Sequence, residues 1–277
     1  MKLRRFRFAT AVVLSLLTLP TVVMADTYSD NFESYAAGTF PGANWVDTGQ
    51  IAPVWTPPPN PSCTVGVTTD AFGQPTKALH LDGSWTGSAS GIYRSIAPAT
   101  QFAVAMDVRT DVFGSGATDN PSDWPWMMGV SQYDPNTQAG GWRSLQMYGT
   151  DLAQDFRGYA IYDQGQADFP LGVSIAAGVW YHIQIDLDAD LGIIRNRIWN
   201  VATSALLADT TVNADGWLPS DNVFDCVTIN QGELSALTSS DAWVDNVTIG
   251  LTPEPSSLIA LALGGLMLRR GRQSRSR

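Results

Sequence analysis

The chain has 277 residues and a formal net charge of −10, with 26 acidic against 16 basic residues, two histidines and two cysteines. Such an acidic surface repels nucleic acid and anionic lipid, so a binding role built on phosphate contacts is excluded. The two cysteines match no zinc or redox spacing, and 44% hydrophobic residues is enough for one substantial core.

At the N-terminus, Lys2, Arg4, Arg5 and Arg7 precede an apolar stretch over 9–19, and Val23-Met24-Ala25 puts small residues where a signal peptidase reads. Residues 1–25 read as a signal peptide, with Asp26 opening an exported body over 26–252. That body keeps seven basic and 25 acidic residues, a net charge of −18, and Lys77 is its only lysine. It shows no long helical periodicity and no repeat. Short apolar alternations recur instead, clearest over 101–109, 180–188 and 242–249, and these predict half-buried antiparallel strands. The Pro-rich 56–61 and Gly/Asp-rich 113–121 segments between them predict surface loops. The body therefore predicts a single all-β sandwich. In an oxidising compartment Cys63 and Cys226 form either one long-range disulfide or two buried small hydrophobes, and the sequence leaves both open.

The last segment, 253–277, has three parts: Pro253-Glu254-Pro255 with Ser256 and Ser257, an apolar run over 258–268, and a tail with Arg269, Arg270, Arg272, Arg275 and Arg277. The run is short of the roughly 20 residues that span a bilayer, as suits a transient anchor. The arginines behind it would stay on the cytoplasmic side. The pattern resembles the PEP-CTERM sorting signal of bacterial envelope proteins. That resemblance implies an exosortase-type membrane protease as partner and an envelope or extracellular-matrix location in a Gram-negative-type cell. The other reading is a permanent tail anchor.

Within the body, Asp30-Asn31-Phe32-Glu33-Ser34-Tyr35 with Gly38-Thr39-Phe40-Pro41, the hairpin from Gly178 to Ile198, and Ala242-Trp243-Val244-Asp245-Asn246-Val247 resemble the opening strand, central hairpin and closing strand of concanavalin A-like (laminin-G-like) jelly rolls. The resemblance covers the two ends and the middle of the body. It implies an antiparallel two-sheet sandwich, and it implies a structural calcium where first and last strands meet. Carried over, the ligands would be Glu33 (or Asp30), Asp245 and a main-chain carbonyl near Gly83. Since one jelly roll hosts lectins, glycoside hydrolases and adhesion modules, the fold does not choose among them.

Hydrolases of this fold carry Glu-x-Asp-x-x-Glu, which places two carboxylates about 5–5.5 Å apart. Here the body's only glutamates are Glu33 and Glu233, and neither lies in that pattern. The nearest arrangement is Asp186-x-Asp188-x-Asp190, on one strand face with His182 and Gln184, and it reads more readily as a solvated polar face. No Gly-x-Ser-x-Gly is present. All ten tryptophans lie in the body, and sugars present C–H faces that stack on exposed rings. The expected ligand set is Trp124 and Trp126 after the Gly/Asp loop, with Trp142, Arg143, Gln146 and Tyr148 in the next hairpin. Trp180, Trp199 and Trp243 sit in strand patterns and are expected in the core. The sequence thus predicts an exported, non-catalytic protein that binds exopolysaccharide or matrix glycans. A glycoside hydrolase or lyase of the same fold, and a structural matrix protein without a small ligand, are the competing readings.

Overall fold

Period-two alternation decides which side chains are enclosed. The computed structural model describes residues 27–47, 63–82, 88–114, 123–131, 144–150, 152–162, 165–213, 224–233 and 240–251. The leader over 1–25, the 56–61 loop, Gly83, Trp142, Arg143 and all of 253–277 lie outside them. Among the described residues no helix is long and apolar enough to cross a membrane.

One sheet contains β1 (Thr27–Asp30), β3 (Thr64–Thr69), β4 (Pro75–Asp82), β6 (Gln101–Val112), β11 (Trp180–Asp188), β12 (Ile193–Asn200), β13 (Ala205–Asn213) and β15 (Asp241–Leu251). Its order is β13-β12-β11-β6-β15-β4-β3, with β1 also paired to β15. The other contains β2 (Val46–Asp47), β5 (Ser88–Ala99), β7 (Asp123–Ser131), β8 (Ser144–Gly149), β9 (Asp155–Tyr162), β10 (Gly165–Ser174) and β14 (Phe224–Glu233), in the order β10-β9-β8-β7-β14-β5-β2. Neighbouring strands are antiparallel in both sheets. All the described strands belong to one unit, Asp26–Thr252.

Phe102, Val104, Met106 and Val108 of β6 and Ile183, Ile185 and Leu187 of β11 meet Trp126, Met128, Val130, Ile92, Val227 and Ile229 from the other sheet in one core. Each such side chain contributes about 1.5–3 kcal/mol by leaving water.

The opening motif acquires a physical reason here. The Asp30 carboxylate accepts hydrogen bonds from the Tyr28 and Tyr35 hydroxyls, the Trp45 indole N–H and the Phe32 amide, at 2.8–2.9 Å. The amide bond turns the chain so sharply that Phe32 takes a left-handed φ of 57°, a strained choice for a bulky residue that its fully buried ring stabilises. With its oxygens engaged by four donors, Asp30 locks the N-terminal segment and leaves Glu33 as the motif's exposed acid.

Cys63 and Cys226 are both buried thiols, so the disulfide is not formed. Cys63 packs in the shared core beside β3, whereas Cys226 is on β14 on the face turned away from that core, and the seven-stranded sheet lies between them. Burial pushes the Cys226 thiol up to about 12.

Candidate functional site

The seven-stranded sheet has its own aromatic cluster on the face opposite the core, formed by Met127, Tyr148 and Tyr159 with Trp124 packed against them. Strand alternation alone would put Trp124 and Trp126 on the same side. The register shows why they part: Met127 pairs with Asn230 but Trp124 with Gly232, so β7 carries one extra residue there. That bulge turns Trp124 outward with Met127 and Trp126 inward. Trp126 is 0% exposed, donates its indole N–H to Thr110 Oγ1 at 3.2 Å, and packs on Phe156 at 5.4 Å between ring centroids. Gly149 admits it, since a Cβ there would stand 3.0 Å from the indole. Trp126 is therefore a core residue and leaves the ligand set.

Two rungs of the sheet compose the outer face. One runs Asn230, Met127, Tyr148, Arg157, Pro170 and the next Thr228, Gly129, Gln146, Tyr159, Asp168. Trp124 donates to Asn230 Oδ1 at 3.2 Å and meets Tyr148 edge-on at 6.1 Å; Tyr148 meets Tyr159 likewise at 6.1 Å. The Tyr148 hydroxyl donates to Asp168 Oδ1 at 3.1 Å, and Arg157 donates to Asp168 Oδ2 at 3.0 Å and to Asp155 at 3.2 Å. Burial, reinforced by the Asp168 charge, raises the Tyr148 phenol above its ordinary value, so it remains a donor at neutral pH. Of the expected set, Trp124 and Tyr148 come together and Gln146 occupies the intervening backbone position. Trp142 and Arg143 fall outside the described residues. Tyr159, Arg157, Asp168 and Asn230 were missed, because only strand order reveals that five different strands share this face. Met127, Tyr148 and Tyr159 are themselves buried, so the half-buried Trp124 is the ring left for C–H contact, with the Asp168 carboxylate, the Arg157 guanidinium and the Asn230 amide around the cluster for hydroxyl groups.

The eight-stranded sheet closes most of its own outer face. His80, Trp243, Arg109 and Trp180 stand in one row across four strands. His80 stacks on Trp243 at 4.2 Å, and the Arg109 guanidinium lies 5.8 Å from Trp243 and 5.2 Å from Trp180. Gly66 makes room, because a Cβ there would come within 2.7 Å of the Trp243 ring. Trp180 and Trp243 are thus spent on an outer ladder and not in the core between the sheets. Trp199, half-buried on the same face, packs against His182 and under Arg197. The acidic strand is similarly tied up. Asp186 accepts two bonds from Arg197 and one from Gln184, Asp188 accepts the Leu191 amide in the turn, and Asp190 accepts the Thr100 hydroxyl.

Where first and last strands meet, Asp245 is 7% exposed and pairs in register with Asp107. Burial, then the Asp107 and Glu33 charges, push its carboxyl up to about 7. Glu33 itself accepts the Thr76 hydroxyl and the Lys77 amide at 2.8 and 2.9 Å, and the Lys77 ammonium donates to the Glu33 and Tyr35 carbonyls. Two of the three expected calcium ligands thus act on each other electrostatically, while a lysine occupies neighbouring carbonyls. Among the described residues no group of three or more His, Cys, Asp or Glu side chains is placed to hold a metal ion.

No family model and no curated protein matches the chain. Solved structures do. The basic winged bean lectin with Tn-antigen is 10% identical over 83% of this chain and 100% of its own, with a TM-score of 0.51. A protein of unknown function from Shewanella oneidensis is 12% identical over 87% and 93%, with a TM-score of 0.52. The fold is a concanavalin A-like jelly roll. A Bacillus licheniformis β-glucanase is 11% identical over 82% and 98%, with a TM-score of 0.47. At these identities the jelly roll is the shared feature, and what it does rests on its own residues.

Proposed function

We propose that the protein is an exported, non-catalytic glycan-binding protein of the cell envelope or extracellular matrix, which holds exopolysaccharide or matrix glycans on the outer face of the seven-stranded sheet. The observation that carries this reading is the Trp124, Tyr148 and Tyr159 cluster bordered by Asp168, Arg157 and Asn230. The hydrolase reading has less support, because Asp186 is ion-paired to Arg197 and Asp188 caps a turn. Delivery belongs to the two terminal segments: signal peptidase would remove 1–25, and an exosortase-type protease would act at Pro253-Glu254-Pro255 after transient anchoring in the inner membrane. A structural calcium between Glu33 and Asp245 is part of the same reading, supported by a buried carboxyl that a cation would relieve.

Pull-down on matrix polysaccharide beside a reducing-end assay tests the function. Retention without turnover, lost in Trp124→Ala and kept in Asp186→Asn, is expected. Turnover that vanishes in Asp186→Asn and survives Trp124→Ala would replace this reading with a hydrolase. Alanines at Pro253-Glu254-Pro255 should leave an unprocessed, membrane-retained precursor, and identical size and fractionation of variant and parent would end the sorting proposal.

A further inference from the structure

Among the described residues, the outer face of the eight-stranded sheet has an open trough. Outward positions along β6 run Ala103, Ala105, Asp107 and Arg109, so two long side chains give way to two methyls. The register partners of those methyls on β15 are Gly250 and Thr248, and β1 adds Thr27 and Ser29 beyond them. On the other side, β11 places Gln184 opposite Ala105 and His182 opposite Asp107. Two rungs of short side chains beside a wall of long ones leave a trough of about 260 Å³ across four strands.

The wall is fixed from behind. His182 Nδ1 lies 2.7 Å from Asp107 Oδ1, and Asp107 Oδ2 accepts the Asn246 side-chain amide at 2.8 Å. Asp107 is only 8% exposed, and the His182 ring leans on Trp199 at 5.3 Å. Gln184 donates to Asp186 at 2.6 Å, and Arg197 clamps that carboxylate from the next strand. Side chains held in this way lose little freedom when a ligand arrives. Among the described residues the lining holds no carboxylate and no guanidinium. It offers hydroxyls, one amide and one imidazole over a floor of methyl groups and backbone. The two carboxylates behind the wall are already engaged, Asp107 by His182 and Asn246 and Asp186 by Gln184 and Arg197, and a body of net charge −18 repels an anion.

We infer that this trough is a second carbohydrate site, taking one neutral pyranose unit, with Gln184 and His182 bonding its hydroxyls and Ala103, Ala105 and Gly250 meeting its C–H face. The inference shares its neutral-glycan ligand class with the proposed function but none of its residues. Because the trough and the Trp124 cluster lie on opposite faces of the sandwich, one molecule engaged at both sites joins two polysaccharide chains, and its avidity depends on chain geometry.

Calorimetric titration of the full-length protein with maltohexaose, cellohexaose and laminarihexaose tests this. A Cβ at Gly250 meets nothing within 4 Å, so Gly250→Leu fills the trough without disturbing the sheet, and Ala103→Leu fills it independently. The parent should bind two equivalents, each filling variant one with an unshifted melting temperature, and Trp124→Ala one. Parent stoichiometry and affinity retained in both filling variants would overturn the trough and leave the proposed function standing. Binding lost with Gly250→Leu and Ala103→Leu but intact in Trp124→Ala would support the trough and overturn the seven-stranded face. No heat with any of the three sugars would overturn both.

Discussion

Asp245→Asn should make the protein more stable at alkaline pH and leave it nearly unchanged in acid. Asp245 is buried opposite Asp107, with Glu33 adding a third carboxylate, and its carboxyl is held at about 7. In the unfolded chain it titrates near 3.9. Below about pH 4 the proton is present in both states and nothing is lost. From pH 4 to 7 the unfolded chain releases the proton first, so stability falls, and above 7 the loss is complete. Three pH units at about 1.4 kcal/mol each set a ceiling of about 4 kcal/mol, and relaxation around the charge brings the expected loss to about 2–4 kcal/mol. Asparagine removes the charge and keeps an oxygen for the Asn246 amide, now bonded to Asp245 at 2.7 Å. Urea titrations of parent and variant from pH 3.5 to 8.5, with calcium chelated, should diverge as pH rises, the variant ahead by about 2–4 kcal/mol at pH 8. A variant less stable at pH 8, or a difference independent of pH, would refute the placement. Added calcium separates the metal proposal from the pH effect: if Glu33 and Asp245 share the ion, the parent gains about 2.7 kcal/mol at a hundredfold ligand excess and the variant does not.

Asn196 lies on the core face of β12 between Ile194 and Ile198, 1% exposed, with neither side-chain polar atom bonded. Asn196→Leu should stabilise by about 1–3 kcal/mol in denaturant titration, and a loss of that size would show that the amide has partners. Trp126→Ala should cost about 3–5 kcal/mol by the same measurement, and a cost below about 1 kcal/mol would contradict its inward position at the β7 bulge. Cys226 should resist alkylation at pH 8 in the native protein, and both cysteines should label after denaturation without reductant; labelling only after reduction would mean a disulfide.

The strands were legible because alternation reports them directly. The expected strand over 180–188 is β11 residue for residue, 101–109 falls within β6 and 242–249 within β15. Which face an aromatic residue takes was much less legible. Trp124 and Trp126 are separated by a bulge that depends on register with β14, a strand about a hundred residues away. Residue type argues for buried Trp180 and Trp243, yet alternation sets Trp180 on the face of His182 and Gln184 and Trp243 on that of Asp245, and both pack around Arg109 there. Asp107 reads in sequence as one outward polar residue in a strand. Only topology places His182, Asn246 and Asp245 around it. The Asp30 motif was recognisable as a pattern, and its cause, four donors on one carboxylate, is three-dimensional.

A glycan array probed with the parent, Trp124→Ala and Tyr148→Phe shows whether glycan is held on the outer face of the seven-stranded sheet. The substitutions remove an aromatic surface in one case and the hydroxyl bonded to Asp168 in the other. The parent should bind neutral polysaccharides, Trp124→Ala should lose at least about tenfold, equivalent to about 1.4 kcal/mol, and Tyr148→Phe should keep the fold with weakened binding. A parent that binds no glycan, or equal binding by all three proteins, would contradict that placement.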